Sequence, residues 1–255
     1  MTHPDTQRMI SRVEELTGYP VAVETGSGFY EQAQMMSARP GAPVHLIRVN
    51  ERLRDQADYV VAAQCGMLLV LWSDPARVFG MAFDDEACSA LAAEWAGRRQ
   101  LAALPGDQAR RTARFYAEGL LKQLNSMPLE IRVASFCHQE CPDLRPMQAA
   151  LFEAQLRELS SVFAPQVRQR APEDVFDRNV SMNAALAGNW ARLSGNRLAL
   201  LPYESLGYAA AGERLLAALD SLPGMTAESH MGTVDAWARQ LAMDTLYSWE
   251  FSDRR

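Results

Sequence analysis

Apolar residues recur at helical spacing along most of the chain, and two short segments near the N-terminus depart from that spacing. Apolar positions three and four apart predict a helix over residues 5–17, which Gly18 ends. The segments 20–24 and 44–49 are rich in β-branched residues. They predict two strands of a small N-terminal sheet.

The longest apolar run in the chain is Tyr59 to Trp72. It lies in a segment that returns to helical spacing after Asn50 and stops at Ser73-Asp74-Pro75. The run is shorter than the ~20 residues that a membrane span requires, and Gln64 interrupts it. It therefore predicts a buried core helix, and no membrane partner is expected.

Helical patterns dominate the rest of the chain, and the breaks between them fall at proline and glycine, including Met127-Pro128. The predicted helices cover residues 84–102, 107–126, 144–163, 173–194, 204–220 and 231–250. The pattern predicts an α+β, predominantly helical fold, with a small N-terminal sheet packed on a long core helix. A boundary near Ala164 to Pro172 divides an α+β part, 1–164, from a helical part, 165–255, and one continuous domain is the alternative.

Composition limits the classes of function. The chain of 255 residues is 48% hydrophobic, which is ordinary for a globular protein, and its net charge of −6 argues against general binding to nucleic acids or anionic membranes. Lys122 is the single lysine, and neither a phosphate-binding loop nor an apolar Schiff-base pocket surrounds it. Cys65, Cys88, Cys137 and Cys141 lack zinc-finger spacing and follow no secretory signal, which favours reduced thiols in the cytoplasm.

A strand followed by a long apolar helix is the setting of the HExxH zinc peptidases. Their helix places two histidines one turn apart on one face, with a glutamate beside them as the general base. Here the strand reads His45-Leu46-Ile47-Arg48-Val49-Asn50, and the helix includes Ala62-Ala63-Gln64-Cys65-Gly66-Met67-Leu68. Over about residues 20–95 this arrangement resembles the compact ImmA/IrrE-type zinc metallopeptidases, whose helix carries a His-Glu-Leu-Gly-His motif.

The resemblance implies a zincin-like scaffold without its metal-binding residues. Ala63 stands at the first histidine, Gln64 at the glutamate, Gly66 at the glycine and Met67 at the second histidine. Glu86 is the nearest counterpart of the family's third ligand, a glutamate on a later helix. One carboxylate does not hold zinc at a useful affinity, so neither a metal nor a cofactor is expected.

The expected binding cleft therefore contains His45, Gln64, Met67 and Glu86. Two of them have a simpler explanation as well: Gln64 as a core amide with hydrogen-bond partners, and Glu86, with the acidic residues beside it, as a group that complements a helix dipole. Two functions follow. The first is a non-catalytic metallopeptidase-like protein that binds a protein partner or a ligand, through the retained cleft or through the helical C-terminal part. The alternative is a hydrolase built around His45, Glu86 and His138.

The remaining histidines and the segment with two close cysteines carry weaker signals. Cys137-His138-Gln139-Glu140-Cys141 contains side chains that can bind metals, but no second cluster follows, which favours the end of a helix or a loop. His3 and His230 are predicted to be solvated, in a polar tail and a loop. The segment from Val180 to Leu186, together with Trp190, is predicted to pack in the core.

Overall fold

The small sheet near the N-terminus has three strands, β1 (Val21–Gly26), β2 (Ala33–Met36) and β3 (His45–Asn50), in the order β1-β3-β2. The computed structural model describes residues 2–254. β1 runs parallel to β3, with Val21 opposite His45, and β2 runs antiparallel to β3, with Met36 opposite Leu46. The two predicted strands are thus confirmed as β1 and β3, and β2 is an additional edge strand.

One face of this sheet packs on helices. Side chains alternate between the faces of a strand, and His45, Ile47 and Val49 of β3 are all buried. They pack against α1 (Pro4–Thr17) and α2 (Ala57–Leu71). The prediction of a small sheet on a long core helix is therefore confirmed, and the overall class is α+β and mostly helical.

Helix α2 is buried because α1, α4 and strand β3 pack around it. A short 3-10 helix, Glu51–Gln56, leads from β3 into it, and Asn50 caps that turn by accepting a hydrogen bond from the Arg52 amide at 3.1 Å. Gly66 lies on the side of α2 that faces Val133 of α4 (Gly106–Glu140), where a Cβ would be 2.8 Å from a valine methyl. The two helices can approach this closely because glycine has no side chain.

The remaining helices continue to the C-terminus. They are α3 (Asp85–Ala96), α5 (Arg145–Leu159), α6 (Pro165–Arg170), α7 (Glu173–Ser194), α8 (Leu201–Ser205), α9 (Ala209–Asp220) and α10 (Ala227–Gln240). Helix α7 lies against α4 and α9, and its residues from Val180 to Ala191 are all buried, which confirms the predicted packing role of that segment. The hydrophobic core includes residues on both sides of the predicted boundary at 164–172, and the division into two parts stays a prediction.

The predicted break at Met127-Pro128 is wrong. Helix α4 runs through Pro128 without interruption and is 35 residues long. A proline inside a helix costs ~3 kcal/mol, because it removes a donor and crowds the preceding turn. Leu124 and Ile131, on either side, are fully buried, and this burial keeps the two halves of the helix in line.

The predicted helix over residues 231–250 is also wrong in its second half. Helix α10 ends at Gln240, Ala242 adopts a left-handed φ of 51°, and the chain then forms β5 (Tyr247–Asp253). β5 pairs antiparallel with β4 (Arg77–Phe83), which the sequence analysis also missed. The partner strand lies about 170 positions away in the chain, so local spacing gave no indication of the pairing.

Candidate functional site

His45 lies inside the protein, with both ring nitrogens engaged. Its Nδ1 accepts a hydrogen bond from the Ala38 amide at 3.0 Å, and its Nε2 lies 3.1 Å from the Thr17 hydroxyl. Tyr19 and Trp72 contact the ring edge to face. Burial, with a smaller contribution from the positive charge of Arg254, lowers the pKa of His45, so the imidazole is neutral at pH 7. The arrangement orders the strand β3 and the loop that precedes it.

Gln64 and Met67 occupy a half-buried flank of α2. They stand seven and four residues before Leu71, and these intervals place all three side chains on one side of the helix. Ala63 is also half-buried. Leu71 lines a surface groove, and neither Gln64 nor Met67 is among the residues that line it.

Glu86 and His138 lie elsewhere. Glu86 is exposed in the first turn of α3, where Asp84 caps the helix by accepting a hydrogen bond from the Ala87 amide at 2.8 Å. His138, near the end of α4, is bonded through Nδ1 to Gln148 at 2.8 Å. Within residues 2–254, no hydrogen bond or ion pair joins any two of His45, Glu86 and His138.

Two histidines predicted to be solvated have structural positions instead. The His3 side chain caps α1 by accepting from the Asp5 amide at 3.2 Å. His230 is 2% exposed on α10, beneath the rings of Phe79 and Trp249, so the prediction of a solvated loop is wrong for this residue. Its burial depends on β4 and β5, which supply both rings and were not predicted from the sequence. Burial, followed by the positive charge of Arg132, lowers the pKa of His230 to about 4.

On the second face of the three-stranded sheet, the apolar side chains are exposed or half-buried in the part of the chain that the structure describes. Ala22 lies beside Leu46 and Leu46 beside Met36, so the three share this face, and Val44 follows by alternation. Met36 is 58% exposed and Val44 39% exposed. We call these four residues the open sheet face.

The loop between β2 and β3 turns the open sheet face into a groove. Backbone hydrogen bonds between Arg39 and Ala42 close a tight turn in this loop, and both residues line the groove together with the open sheet face. The volume of this first groove is about 560 Å³. At its other end Glu24 and Arg48 form an ion pair at 3.3 Å.

A second groove, of about 370 Å³, adjoins the first at Ser37 and Arg39, which line both. Ala38 and Pro40 of the same loop also line it, and its other walls come from distant parts of the chain: Leu71, Val78, Phe79, Asp253 and Arg254. The two grooves therefore form one concave surface between the open sheet face and the β4–β5 ribbon. Within residues 2–254, Arg39 forms no ion pair.

Arg254 joins the second groove to the core. Its guanidinium carbon lies 3.7 Å from the centre of the Trp72 ring, and it donates hydrogen bonds to the carbonyls of Leu71 at 2.6 Å and Arg77 at 2.9 Å. The Trp72 indole N–H donates to the Ser37 hydroxyl at 2.8 Å. Packing against His45, Trp72 thus connects the grooves to the buried histidine.

The chemistry of this surface is that of binding. It offers apolar side chains, the hydroxyl of Ser37 and, besides the acidic Glu24 and Asp253, the guanidinium of Arg39, which has no carboxylate partner within residues 2–254. Among residues 2–254, no three His, Cys, Asp or Glu side chains are grouped so that they could hold a metal ion. No helix in that range is long and apolar enough to cross a membrane.

Comparison with known protein families, with curated protein sequences and with solved structures found nothing similar to this chain.

Sequence reasoning missed most of this surface. Met36 lies in a strand that was not predicted, and Arg39 lies in a loop without a motif. Residues 247–251 carry one signal that was available, because apolar Tyr247, Trp249 and Phe251 alternate with polar residues, as they do in a half-buried strand.

Proposed function

We propose that this protein is a non-catalytic binding module that holds a segment of a partner protein on the open sheet face. The observation that carries the proposal is the apolar surface of the open sheet face inside a groove, where Met36 and Val44 are exposed and Ala22 and Leu46 are half-buried. Apolar area that is removed from water contributes ~25 cal/mol per Å². A concave apolar surface with a few polar groups at its border is typical of a binding site.

One charged side chain of the grooves, Arg39, supports a partner segment that carries a carboxylate. Arg39 lines both grooves and forms no ion pair within residues 2–254, whereas Arg48 is already paired with Glu24. A guanidinium binds a carboxylate through two parallel hydrogen bonds, which gives direction as well as affinity. Because the protein as a whole is acidic, this attraction is local and should weaken with added salt.

The metallopeptidase-like origin of the scaffold stays part of the proposal. Its support is the order of the elements, in which strand β3 leads into the buried helix α2, and the position of Gly66 on the packed side of that helix. The side chains at the motif positions, Ala63, Gln64 and Met67, provide no metal ligand of the HExxH type. The four free thiols, at positions 65, 88, 137 and 141, support a cytoplasmic location for this binding function.

An array of fluorescein-labelled decapeptides tests the proposal. Each peptide alternates apolar and polar residues, and each acidic sequence has a counterpart in which Asp and Glu are replaced by Lys and Arg. We expect acidic peptides to bind the protein and their basic counterparts to bind at least about tenfold more weakly, a difference of ~1.4 kcal/mol. No binding, or no preference for acidic peptides, would contradict the proposal.

Two substitutions with matched controls locate the binding. Met36→Asp places a charge on the open sheet face, and Leu198→Asp places the same charge on a residue that is 69% exposed in the segment before α8. Arg39→Glu reverses the charge at the grooves, and Arg111→Glu does so on the exposed surface of α4. We expect the first member of each pair to weaken binding of the acidic decapeptide and the second to leave it unchanged.

A further inference from the structure

Strand β1 has an unpaired edge beside the open sheet face. In the order β1-β3-β2, β1 has β3 on one side and no strand on the other within residues 2–254. The His45 amide donates a hydrogen bond to the Pro20 carbonyl, and this bond determines which residues of β1 direct their backbone groups toward β3. Alternate residues of such a strand turn their backbone groups toward the neighbour. Ala22 and Glu24 therefore face β3, and Val23 and Thr25 direct their N–H and C=O groups outward.

The surroundings of this edge agree with the outward direction of the backbone groups of alternate residues. The Val21 amide, which also points away from β3, donates to the Glu14 carboxylate at 3.0 Å, so the protein itself satisfies the first outward donor. Val23 is 46% exposed and Thr25 is exposed. No such cap is present at Val23 or Thr25 within residues 2–254.

The edge has little of the usual protection of an exposed strand. Proteins block such edges with charged side chains, above all lysine, with a proline inside the strand, with a bulge or with a covering element. β1 contains neither lysine nor proline, its one charged residue, Glu24, is paired with Arg48 of β3, and its register with β3 is continuous from Val21 to Gly26. Unpaired backbone donors and acceptors in this pattern match one type of occupant, another extended chain.

We propose that the partner segment binds as an added β-strand along β1, with its backbone paired to Val23 and Thr25. This inference rests on the proposed binding function and specifies its mode. Every second side chain of the added strand then lies on the same side as Ala22 and continues the open sheet face. An apolar side chain at such a position covers Ala22 and Leu46, and a carboxylate on the same side pairs with Arg39, since Ala22, Leu46 and Arg39 line one groove.

Backbone methylation of the ligand tests the mode directly. The probe is the tightest-binding acidic decapeptide of the array, prepared unmodified, with N-methyl groups on its odd-numbered residues, and with N-methyl groups on its even-numbered residues. In an added strand only alternate amides face β1. We therefore expect one methylated series to lose at least about tenfold in affinity and the other to bind within about threefold of the unmodified peptide. Equal losses in both series, or no loss in either, would overturn the strand mode.

A change in the protein gives an independent measurement. Val23→Pro removes an outward N–H and leaves the ladder with β3 intact, because proline is compatible with the free side of an edge strand. Val23→Ala is the matched control, since it shortens the side chain and keeps the donor. We expect Val23→Pro to weaken decapeptide binding about tenfold and Val23→Ala to weaken it much less. Equal affinities for the two variants would contradict the added strand.

Different results would contradict the proposed binding function and the proposed added-strand mode. If Met36→Asp and Arg39→Glu weaken binding while the two methylated series and the two Val23 variants do not differ, the open sheet face binds the partner in another conformation. If Met36→Asp and Arg39→Glu have no effect, the proposed function itself is wrong. If Val23→Pro does not fold by circular dichroism, the methylated peptides still decide the mode with the unmodified protein.

Discussion

Gly66 of α2 lies so close to Val133 of α4 that a Cβ at position 66 would stand 2.8 Å from the Cγ1 atom of the valine. Val133 is buried and β-branched, so its side chain has little freedom to move away. We expect Gly66→Ala to destabilise the protein by ~1 to 3 kcal/mol from overpacking, although alanine favours a helix over glycine. Denaturant unfolding measures the difference.

Gly119 of α4 is the control for this substitution. A Cβ at that position would meet nothing within 4 Å outside its own helix. Gly119→Ala should therefore raise the free energy of unfolding by ~0.5 to 1 kcal/mol. A Gly66→Ala variant that gained as much stability as Gly119→Ala would show that α2 does not pack against α4 as described.

Three amide side chains between α4 and α7 form a closed ring of hydrogen bonds. Gln123 donates to Asn183 at 2.8 Å, Asn183 donates to Asn179 at 3.1 Å, and Asn179 donates back to Gln123 at 2.9 Å. Asn183→Ala leaves two of these groups unpaired, and we expect a cost of ~1 to 3 kcal/mol by thermal or denaturant unfolding. Asn125→Ala should cost less, because the Asn125 Oδ1 is buried without a partner within residues 2–254. Similar costs for both would exclude a stabilising ring.

His230 should make the stability depend on pH. Its pKa is about 4 in the folded protein, against an ordinary value of 6.5, because burial and then Arg132 disfavour the charged form. Above about pH 6.5 the ring is neutral in both states. As the pH falls from 6.5 to about 4, the unfolded chain takes up a proton that the folded one does not, so stability declines by up to ~3 kcal/mol.

His230→Phe removes this effect while filling the space beneath Phe79 and Trp249 with another ring. Unfolding in guanidinium between pH 7.5 and 4 should show a smaller decline for the variant than for the wild type. Groups present in both proteins, such as Glu130, whose pKa burial raises, cancel in this comparison. The same slope in both proteins would mean that His230 is accessible to protons in the folded state.

The four thiols should be unreactive in the folded protein. Cys65, Cys88, Cys137 and Cys141 are free and buried, which denies a reagent access to them. Burial raises the pKa of Cys65 to about 12, whereas a hydrogen bond with Cys137 lowers the pKa of Cys141, so for Cys141 the protection comes from burial alone. An aromatic disulfide reagent should release about four equivalents of thiol after unfolding in guanidinium and almost none before. Rapid reaction of any thiol without denaturant would show that the surrounding core opens locally.

The parts of the fold that the sequence predicted are those defined by local spacing. Helix α2 and strand β3 were identified because apolar and β-branched residues cluster within one short segment each. Pro128 misled the prediction because a local penalty was outweighed by burial on both sides of it. The β4–β5 ribbon was missed because its stability comes from pairing between residues such as Phe79 and Phe251, which are far apart in the chain.

The candidate site depends even more on long-range structure. The open sheet face exists because Ala22, Leu46 and Met36 become neighbours across three strands, and the second groove exists because Arg254 reaches Leu71. None of these residues belongs to a motif. His45 attracted attention as a scarce residue type, but it lies behind the surface, where it orders β3 and the Ala38 backbone. A histidine can act as a base or a metal ligand only where it is accessible, and the sequence did not show whether His45 is accessible.

Amide hydrogen exchange of the protein, with and without the acidic decapeptide, tests the central claim most directly. Strand residues without a backbone partner exchange quickly, and a bound segment slows them. We expect the peptide to slow exchange in residues 21–26 and in the loop from Ser37 to Val44, with little change in α5 or α9. Protection confined to other elements, with unchanged exchange in β1 and in this loop, would show that the partner binds elsewhere and would contradict the account.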